Sequence, residues 1–444
     1  MNNIKKREII FIGLMLFALF FGAGNLIFPP FLGQEAGNHY WPAIMGFVLT
    51  GVGLPVLGVI AIALSGNSVE TIAKHVGFRF AIVFTLLLYM SIGPFFGVPR
   101  AMNVSFEMGI VPFLSSSNSQ IALFIFSVIF FILVYWVSLN PTKLVERIGN
   151  VISPILLVAI ALLAGGSVFS GISALERTPN DPYVDYPSAG GILEGYLTMD
   201  TIAALAFGLV IVNAIKEKGV TDNNKLLRAV SLAGIIAGLG LAVVYISIGW
   251  IGVQTAATST FENGSLILSY AAAQTFGMPG AFLLGIIVTL ACFTTCVGLV
   301  TACGQYFSNV LPMFSYRTFV LLTVLVSVTV ANLGLDAIIS ISAPVLITIY
   351  PVAIVLILLS FLQLKLPLRP SHYQGGVMGA AIVSIYDGIR ELGIEIPLIT
   401  EVYSHLPLFS MGLGWILPVI IGLAAGQLIG CGRTSKNPQE KPER

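Results

Sequence analysis

The sequence predicts an all-α polytopic membrane protein with twelve transmembrane helices. Ten of them form a 5+5 inverted repeat with discontinuous helices 1 and 6, and two peripheral helices follow. Three observations lead there. Apolar runs of about 20 residues, the length that crosses a bilayer, recur from end to end of the 444 residues. Lys and Arg alternate between the connections. The first and sixth runs carry glycine near their middles.

The composition agrees: 57% of residues are hydrophobic and 9% charged, where a soluble domain has about 25% charged. Mean hydropathy is +0.96. The runs lie at 9–32, 41–64, 78–98, 119–139, 148–170, 193–215, 228–253, 278–303, 317–335, 337–363, 375–396 and 411–431. They group into a first repeat (1–170), a second repeat (171–363), two peripheral spans (364–432) and a tail (433–444). Cytoplasmic connections of membrane proteins hold the excess of Lys and Arg. With a cytoplasmic N-terminus, 18 of the 21 fall inside, leaving Arg100, Arg177 and Arg390 outside. A missed or invented span would scramble that bias, so both termini are expected in the cytoplasm of a multi-pass protein.

Other classes find little support. A formal net charge of +1 and the lack of a basic cluster give no sign of nucleic acid. Four cysteines, three in one apolar segment, make no disulfide framework. Lys5, Lys6 and Arg7 look like the start of a secretory signal, but the apolar run behind them is too long for one and is expected to be retained. No lysine follows a glycine, so no P-loop is present and ATP is not the energy source within this chain. An intramembrane enzyme needs a histidine, metal cluster or acid pair at depth. His39, His75, His372 and His405 all fall in connections, so the chain is not read as an enzyme. No short repeated filter loop suggests a channel. No connection is long enough for a soluble domain, no obligatory protein partner is evident, and no cofactor is called for. The outer loop 171–192, with Glu176, Asp181 and Asp185, reads as an acidic surface loop. In the loop 254–277, Leu266 to Phe276 reads as a short helix, either a lid or a plain surface helix.

Phe17 to Pro30 (FALFFGAGNLIFPP) organises the rest. Glycine lowers helix propensity by roughly 1 kcal/mol, and unwound backbone at membrane depth survives only beside protein or a water-filled cavity. Gly22, Gly24 and Asn25 in mid-span therefore predict a break that holds something polar, unless the glycines only admit a neighbouring helix. The sixth run carries Ala206-Phe207-Gly208 and enters from the opposite side. Interrupted spans at matching positions of inverted halves point to a transporter binding site. Free N–H groups at Gly22, Ala23, Gly24 and Asn25 suit a carboxylate, and carbonyls near Ala206 and Phe207 suit an ammonium group. No Arg or Lys lies in the hydrocarbon middle of the first, sixth or eighth segment to bind the anion instead. In the eighth run, the hydroxyls of Thr294 and Thr295 either join a carbonyl around a monovalent cation or bond their own helix. Cys292, Cys296 and Cys303 share a helix face and read as small-residue packing. Asp200 and Asp387 are placed near outer helix ends, with Asp387 paired to Arg390. Arg100 and Glu107 read as a gate pair or an interfacial anchor.

Gly22-Ala23-Gly24-Asn25 leading into Phe28-Pro29 is similar to the unwound first helix of the sodium-coupled neurotransmitter and amino-acid symporters. Ala291-x-x-Thr294-Thr295 looks like their eighth-helix sodium motif. The resemblance implies a sodium site from the carbonyls of Ala18, Phe21 and Ala291 and the hydroxyls of Thr294 and Thr295. It also implies that Phe207 closes on the substrate side chain, with Gly208 beside it. A longer resemblance covers nearly the whole chain. FALFFGAGNLIFPPFLG, GFVLTGVGLPVLGVIA, IGPFFGVPRAMNVSFEMG and GYLTMDTIAALAFGLVIVNAI, in that order, resemble the bacterial branched-chain amino acid carriers of the BrnQ type (LIVCS family). That family implies cation-coupled uptake of leucine, isoleucine or valine across the bacterial cell membrane, usually with a sodium ion, on the same inverted-repeat fold. One departure stands out: Ile202 occupies a place where symporters with two sodium ions carry a hydroxyl. The expectation is one sodium ion, with Asn25 serving the substrate or stabilising the bend. The competing expectation is a proton-coupled transporter or exchanger of the same amino acids, with Asp200 as the acid near the sixth span.

Overall fold

Phe21, Gly22 and Ala23 cut the first apolar run into two helices, and most of the architecture follows from how the two pieces are packed. The computed structural model describes residues 6–65, 68–114, 119–139, 143–168, 177–220 and 222–434, and the regular structure among them is entirely helical. Lys5, Glu176 and the tail from 435 lie outside the described residues.

The first run is α1 (Lys6–Phe20) and α2 (Gly24–Ala36). The second is α3 (Tyr40–Val48) and α4 (Leu54–Leu64), joined by one π-helical turn, Leu49–Gly53. A short α5 (Val69–Lys74) precedes α6 (Phe78–Met90) and α7 (Gly97–Gly109), between which Ser91–Phe95 forms another π turn. There Gly93 leaves helical backbone, and a side chain on it would come within 2.3 Å of Cys303 Sγ. Helices α8 (Ser119–Ser138) and α9 (Lys143–Val168) complete the first half of the sequence. The sixth run is again two helices, α10 (Pro187–Leu197) and α11 (Asp200–Glu217), bent by 46° at Thr198–Met199. Then come α12 (Asn223–Thr255), α13 (Gly264–Val310), α14 (Tyr316–Ala331), α15 (Leu335–Leu362), α16 (Pro370–Glu391), α17 (Pro397–Ser404) and α18 (Ile416–Thr434).

Length and apolar composition qualify six helical stretches among the described residues to cross a membrane, and seven if α10 with α11 counts as one span. Helices such as α1 and α14 fall short because a break or a nearby connection shortens them.

The expected short helix in the loop 254–277 is present. Asn263 caps it, its Oδ1 accepting the Leu266 N–H at 3.2 Å. It ends at Gly277, whose φ of 68° kinks α13 there.

The described residues fall into two compact units, 1–63 with 87–342 and 64–86 with 343–444. In the first unit, backbones meet where glycine removes the side chain. A Cβ on Gly33 of α2 would lie 1.9 Å from the Gly249 carbonyl of α12, and one on Gly191 of α10 equally close to the Ala43 carbonyl of α3. Small-residue contacts of this kind replace the hydrophobic drive that is missing between helices in lipid. They clamp one half of each broken run, α2 and α10, against a neighbouring helix. The second unit uses the same device between α16 and α18, where Gly375 and Gly422 face each other. Asp387 and Arg390 pair within α16 at 4.0 Å, as expected.

Candidate functional site

The sequence pattern of the first break dictates its geometry. The Phe21 N–H still closes on the Phe17 carbonyl at 2.8 Å, but the next donor turns away. Gly22 N–H goes to Asn25 Oδ1 at 3.0 Å and not back along α1, so the carbonyls of the last turn, including that of Ala18, lose their following N–H partners. Helix α2 then starts without a side-chain cap, at Ala23, whose carbonyl takes the N–H groups of Leu26 and Ile27. The first N–H groups of α2 and the last carbonyls of α1 thus meet at one place, with helix-dipole ends of opposite sign.

The sixth run breaks at a different residue from the one expected. Ala206, Phe207 and Gly208 lie inside the unbroken α11, so their backbone is not available as the expected ammonium-facing end. Gly208 has a packing reason instead: a Cβ there would come within 2.8 Å of Ile62. The break is made by Met199, in left-handed backbone with φ 69°, a conformation that a non-glycine residue adopts only under constraint. Thr198 supplies part of that constraint. Its Oγ1 donates to the Gly195 carbonyl at 2.9 Å and accepts the Asp200 N–H at 3.3 Å.

Three side chains tie the two breaks together. Asn25 Nδ2 donates to Asp200 Oδ2 at 2.7 Å and also to the Tyr245 hydroxyl of α12. The Tyr245 hydroxyl in turn donates to the same Asp200 oxygen at 2.7 Å. All three are buried. Asp200, expected near an outer helix end, is instead the first residue of α11 at the break itself. Asn25 uses both ends of its amide on the junction and also lines the cavity there.

Arg100 is the second correction. Hydropathy ended the third span at 98 and put this residue outside, yet α7 continues to Gly109 and Arg100 is buried, 3% exposed. Its Nη1 donates to the Leu197 carbonyl at 2.7 Å and Nη2 to that of Thr198 at 2.9 Å. The guanidinium satisfies the carbonyls at the end of α10 and stacks over Phe28, 5.3 Å from the ring centre. The expectation that no cationic side chain accompanies the break is therefore overturned. Glu107 does not pair with Arg100; its carboxylate accepts from Ser265 at the start of α13.

A cavity opens between these pieces. Gly22, Ala23, Gly24 and Asn25 line it from the first run, Arg100 and Ala101 from α7, Thr198, Met199, Asp200, Ala203 and Phe207 from the sixth, and Thr295 and Leu299 from α13. Phe207 is thus at the cavity, while Ala206 and Gly208 are not part of its lining.

On the α13 side, Thr294 Oγ1 donates to the Ala291 carbonyl at 2.8 Å, and Thr295 Oγ1 reaches the same carbonyl at 3.1 Å and that of Phe21 at 3.5 Å. The bonds within α13 are the ordinary ones of threonine in a helix. The contact with Phe21 is not, since it joins α13 to the break in the first run. Four of the five oxygens expected around sodium therefore cluster, and the Ala18 carbonyl lies on the last turn of α1. A hydroxyl that donates its proton keeps two lone pairs, so the arrangement suits a hard monovalent cation. The three cysteines of α13 are buried thiols, and no group of three His, Cys, Asp or Glu suited to a metal ion occurs among the described residues.

Tyr245 and Thr198 were not legible as site residues. The signal for Asp200 was present, an acid inside an apolar run, and pointed to function more strongly than its position near one end suggested.

Comparison with known proteins bears on the fold and on the family. In solved structures, the fold is similar to that of Mhp1, a nucleobase-cation-symport-1 family transporter in a closed conformation with bromovinylhydantoin bound. The TM-score is 0.59 at 12% identity, over 98% of this chain and 94% of that one. MhsT in complex with L-phenylalanine is similar at TM-score 0.55 and 16% identity, over 95% of this chain and 98% of that one. The chain thus has an all-helical transporter fold. In sequence, it is 44% identical over 430 residues to the branched-chain amino acid permease BraB of Bacillus subtilis, covering 96% of each chain. It is 41% identical to the branched-chain amino acid transport system 2 carrier protein of Pseudomonas aeruginosa, over 99% of each. These relatives are named as permeases and carriers, not enzymes. The model of the branched-chain amino acid transport protein family matches residues 5–431, and the chain belongs to that family.

Proposed function

We propose that the chain is a secondary active transporter that carries leucine, isoleucine and valine into the bacterial cell together with sodium, by alternating access. The observation that carries the sodium part is the contact of Thr295 Oγ1 with the Phe21 carbonyl beside Ala291 and Thr294. Those oxygens would hold the ion with the Ala18 carbonyl, next to the backbone that receives substrate. The branched-chain part is supported by the family and the names of its relatives. Apolar lining from Phe20, Ile92, Met199 and Phe207 suits an aliphatic side chain. One methylene in an apolar pocket is worth roughly 1–3 kcal/mol, so discrimination among the three is expected to be weak.

In this reading the chain crosses the bilayer twelve times, with spans 1–5 and 6–10 as inverted repeats, the last two peripheral, and both termini cytoplasmic. The carboxylate of the substrate meets the N–H groups of Ala23, Gly24 and Asn25; the Gly22 N–H, expected to join them, is taken by Asn25 Oδ1. With the break of the sixth run at Thr198–Met199, the α-amino end lies toward Thr198 and Asp200 and away from Ala206.

A second reading is proton-coupled transport or exchange, favoured by the burial of Asp200 at the junction. Reconstituted vesicles separate the two. An inward sodium gradient alone is expected to drive saturable accumulation of labelled leucine, and a proton gradient alone to give no more than leak. Accumulation with a proton gradient in the absence of sodium would favour the second reading.

A further inference from the structure

We propose that Asp200 binds the ammonium group of the transported amino acid directly, so that the cavity is charged at two points for a zwitterion. This rests on the reading of the cavity as the substrate site.

Two charged side chains line the cavity, Arg100 and Asp200. Arg100 lies at the anion-binding end. A side chain on Gly24 would come within 2.8 Å of its Nη2, so the guanidinium adjoins the N–H groups that open α2. Both terminal nitrogens are occupied by the Leu197 and Thr198 carbonyls. Arg100 thus adds positive potential at that end while it fastens the break. Asp200 is the counterpart. The ion pairs Lys74–Glu70 and Arg390–Asp387 do not involve Asp200. Its carboxylate is held by two uncharged donors, Asn25 Nδ2 and the Tyr245 hydroxyl, both on Oδ2. Those donors fix the carboxylate through uncharged groups, and the Arg100 guanidinium is itself fastened to the neighbouring carbonyls of Leu197 and Thr198. A buried carboxylate is retained where a cation completes it, and a primary ammonium group with three donors fits that need.

Both charged points lie at the junction of the two breaks: Arg100 adjoins Gly24 and bonds the two carbonyls that precede Asp200, and Asp200 opens α11. A solute with adjacent carboxylate and ammonium groups satisfies both ends. One that lacks the ammonium leaves Asp200 buried beside an apolar atom. Sites built to pair with a polar group reject analogues without it far more strongly than they resolve a methylene.

The test is equilibrium binding of labelled leucine to the purified full-length protein in sodium. The competitor is 4-methylpentanoate, which is leucine without its ammonium group. Wild type is expected to bind leucine, with 4-methylpentanoate at least about 100-fold weaker. Asp200→Asn is expected to weaken leucine by about 100-fold and 4-methylpentanoate by no more than about tenfold, so the preference shrinks by at least about tenfold. Asp200→Glu, which keeps the charge, should retain most of the preference at reduced affinity. Equal leucine affinity in wild type and Asp200→Asn would overturn the proposal, as would equal losses for leucine and 4-methylpentanoate. If Asp200→Asn does not fold, wild type decides: competition by 4-methylpentanoate within tenfold of leucine overturns it. Failure of wild type to bind leucine at all would instead overturn the reading of the cavity.

Discussion

Asn25→Ala is expected to abolish leucine uptake and to loosen the fold around the cavity. The amide is 1% exposed and bonds three partners: the Gly22 N–H, Asp200 Oδ2 and the Tyr245 hydroxyl. Alanine leaves a buried N–H and a buried carboxylate short of partners. Removing one member of a buried charged network costs about 3–5 kcal/mol, so uptake at low leucine should fall by about 100-fold or more, since 1.4 kcal/mol is about tenfold. Asn25→Asp should not rescue it. It would place a second carboxylate against Asp200, and adjacent carboxylates do not both ionise readily. Labelled leucine uptake in reconstituted vesicles, with thermal unfolding of the same preparations, checks this. Wild-type uptake by Asn25→Ala would show that the junction is not what holds the site.

The second large effect has the opposite profile. Thr294→Ala with Thr295→Ala should leave stability nearly unchanged and remove sodium dependence. The hydroxyls bond carbonyls of their own helix at 2.8 and 3.1 Å, contacts that add little to helix stability. The reach to Phe21 at 3.5 Å is long. Loss of these two oxygens removes two of the five proposed ligands of the ion. Leucine uptake is expected to become low and insensitive to sodium, with the unfolding midpoint within a few degrees of wild type. Intact sodium dependence in the double variant would show that the cation binds elsewhere.

These two sites mark how far the sequence could be read. The first break was legible because Gly22, Gly24 and Asn25 concentrate poor helix formers in an apolar run. The second was misplaced because it has no glycine: Met199 takes the left-handed conformation, and Thr198 and its neighbours hold it there. Gly208, chosen as the marker, proved to be a contact glycine against Ile62. That was the alternative raised for the first run, and it applied to the sixth. Arg100 was misplaced because hydropathy ends a span at the first charge. The π turn at Ser91–Phe95 and the long α7 carry that charge inward, to the carbonyls of α10. Tyr245 carries no local signal at all. A tyrosine in a 33-residue apolar helix acquires its role only when the fold brings Asn25 and Asp200 to it. The threonine pair was legible as a type of residue, but its partner Phe21 is a backbone oxygen 274 positions away.

The central claim is that a cation and an amino acid complete one stretch of interrupted backbone. If so, binding of each must strengthen the other by the same factor, because coupling between two ligands is reciprocal. The direct measurement is a two-way titration of purified protein: leucine affinity at rising sodium, and sodium half-saturation at rising leucine. A shared junction predicts leucine affinity rising at least about tenfold with sodium, and sodium affinity rising by the same factor with leucine, within the about 1–3 kcal/mol usual for coupled sites. Leucine affinity that does not change with sodium would contradict it.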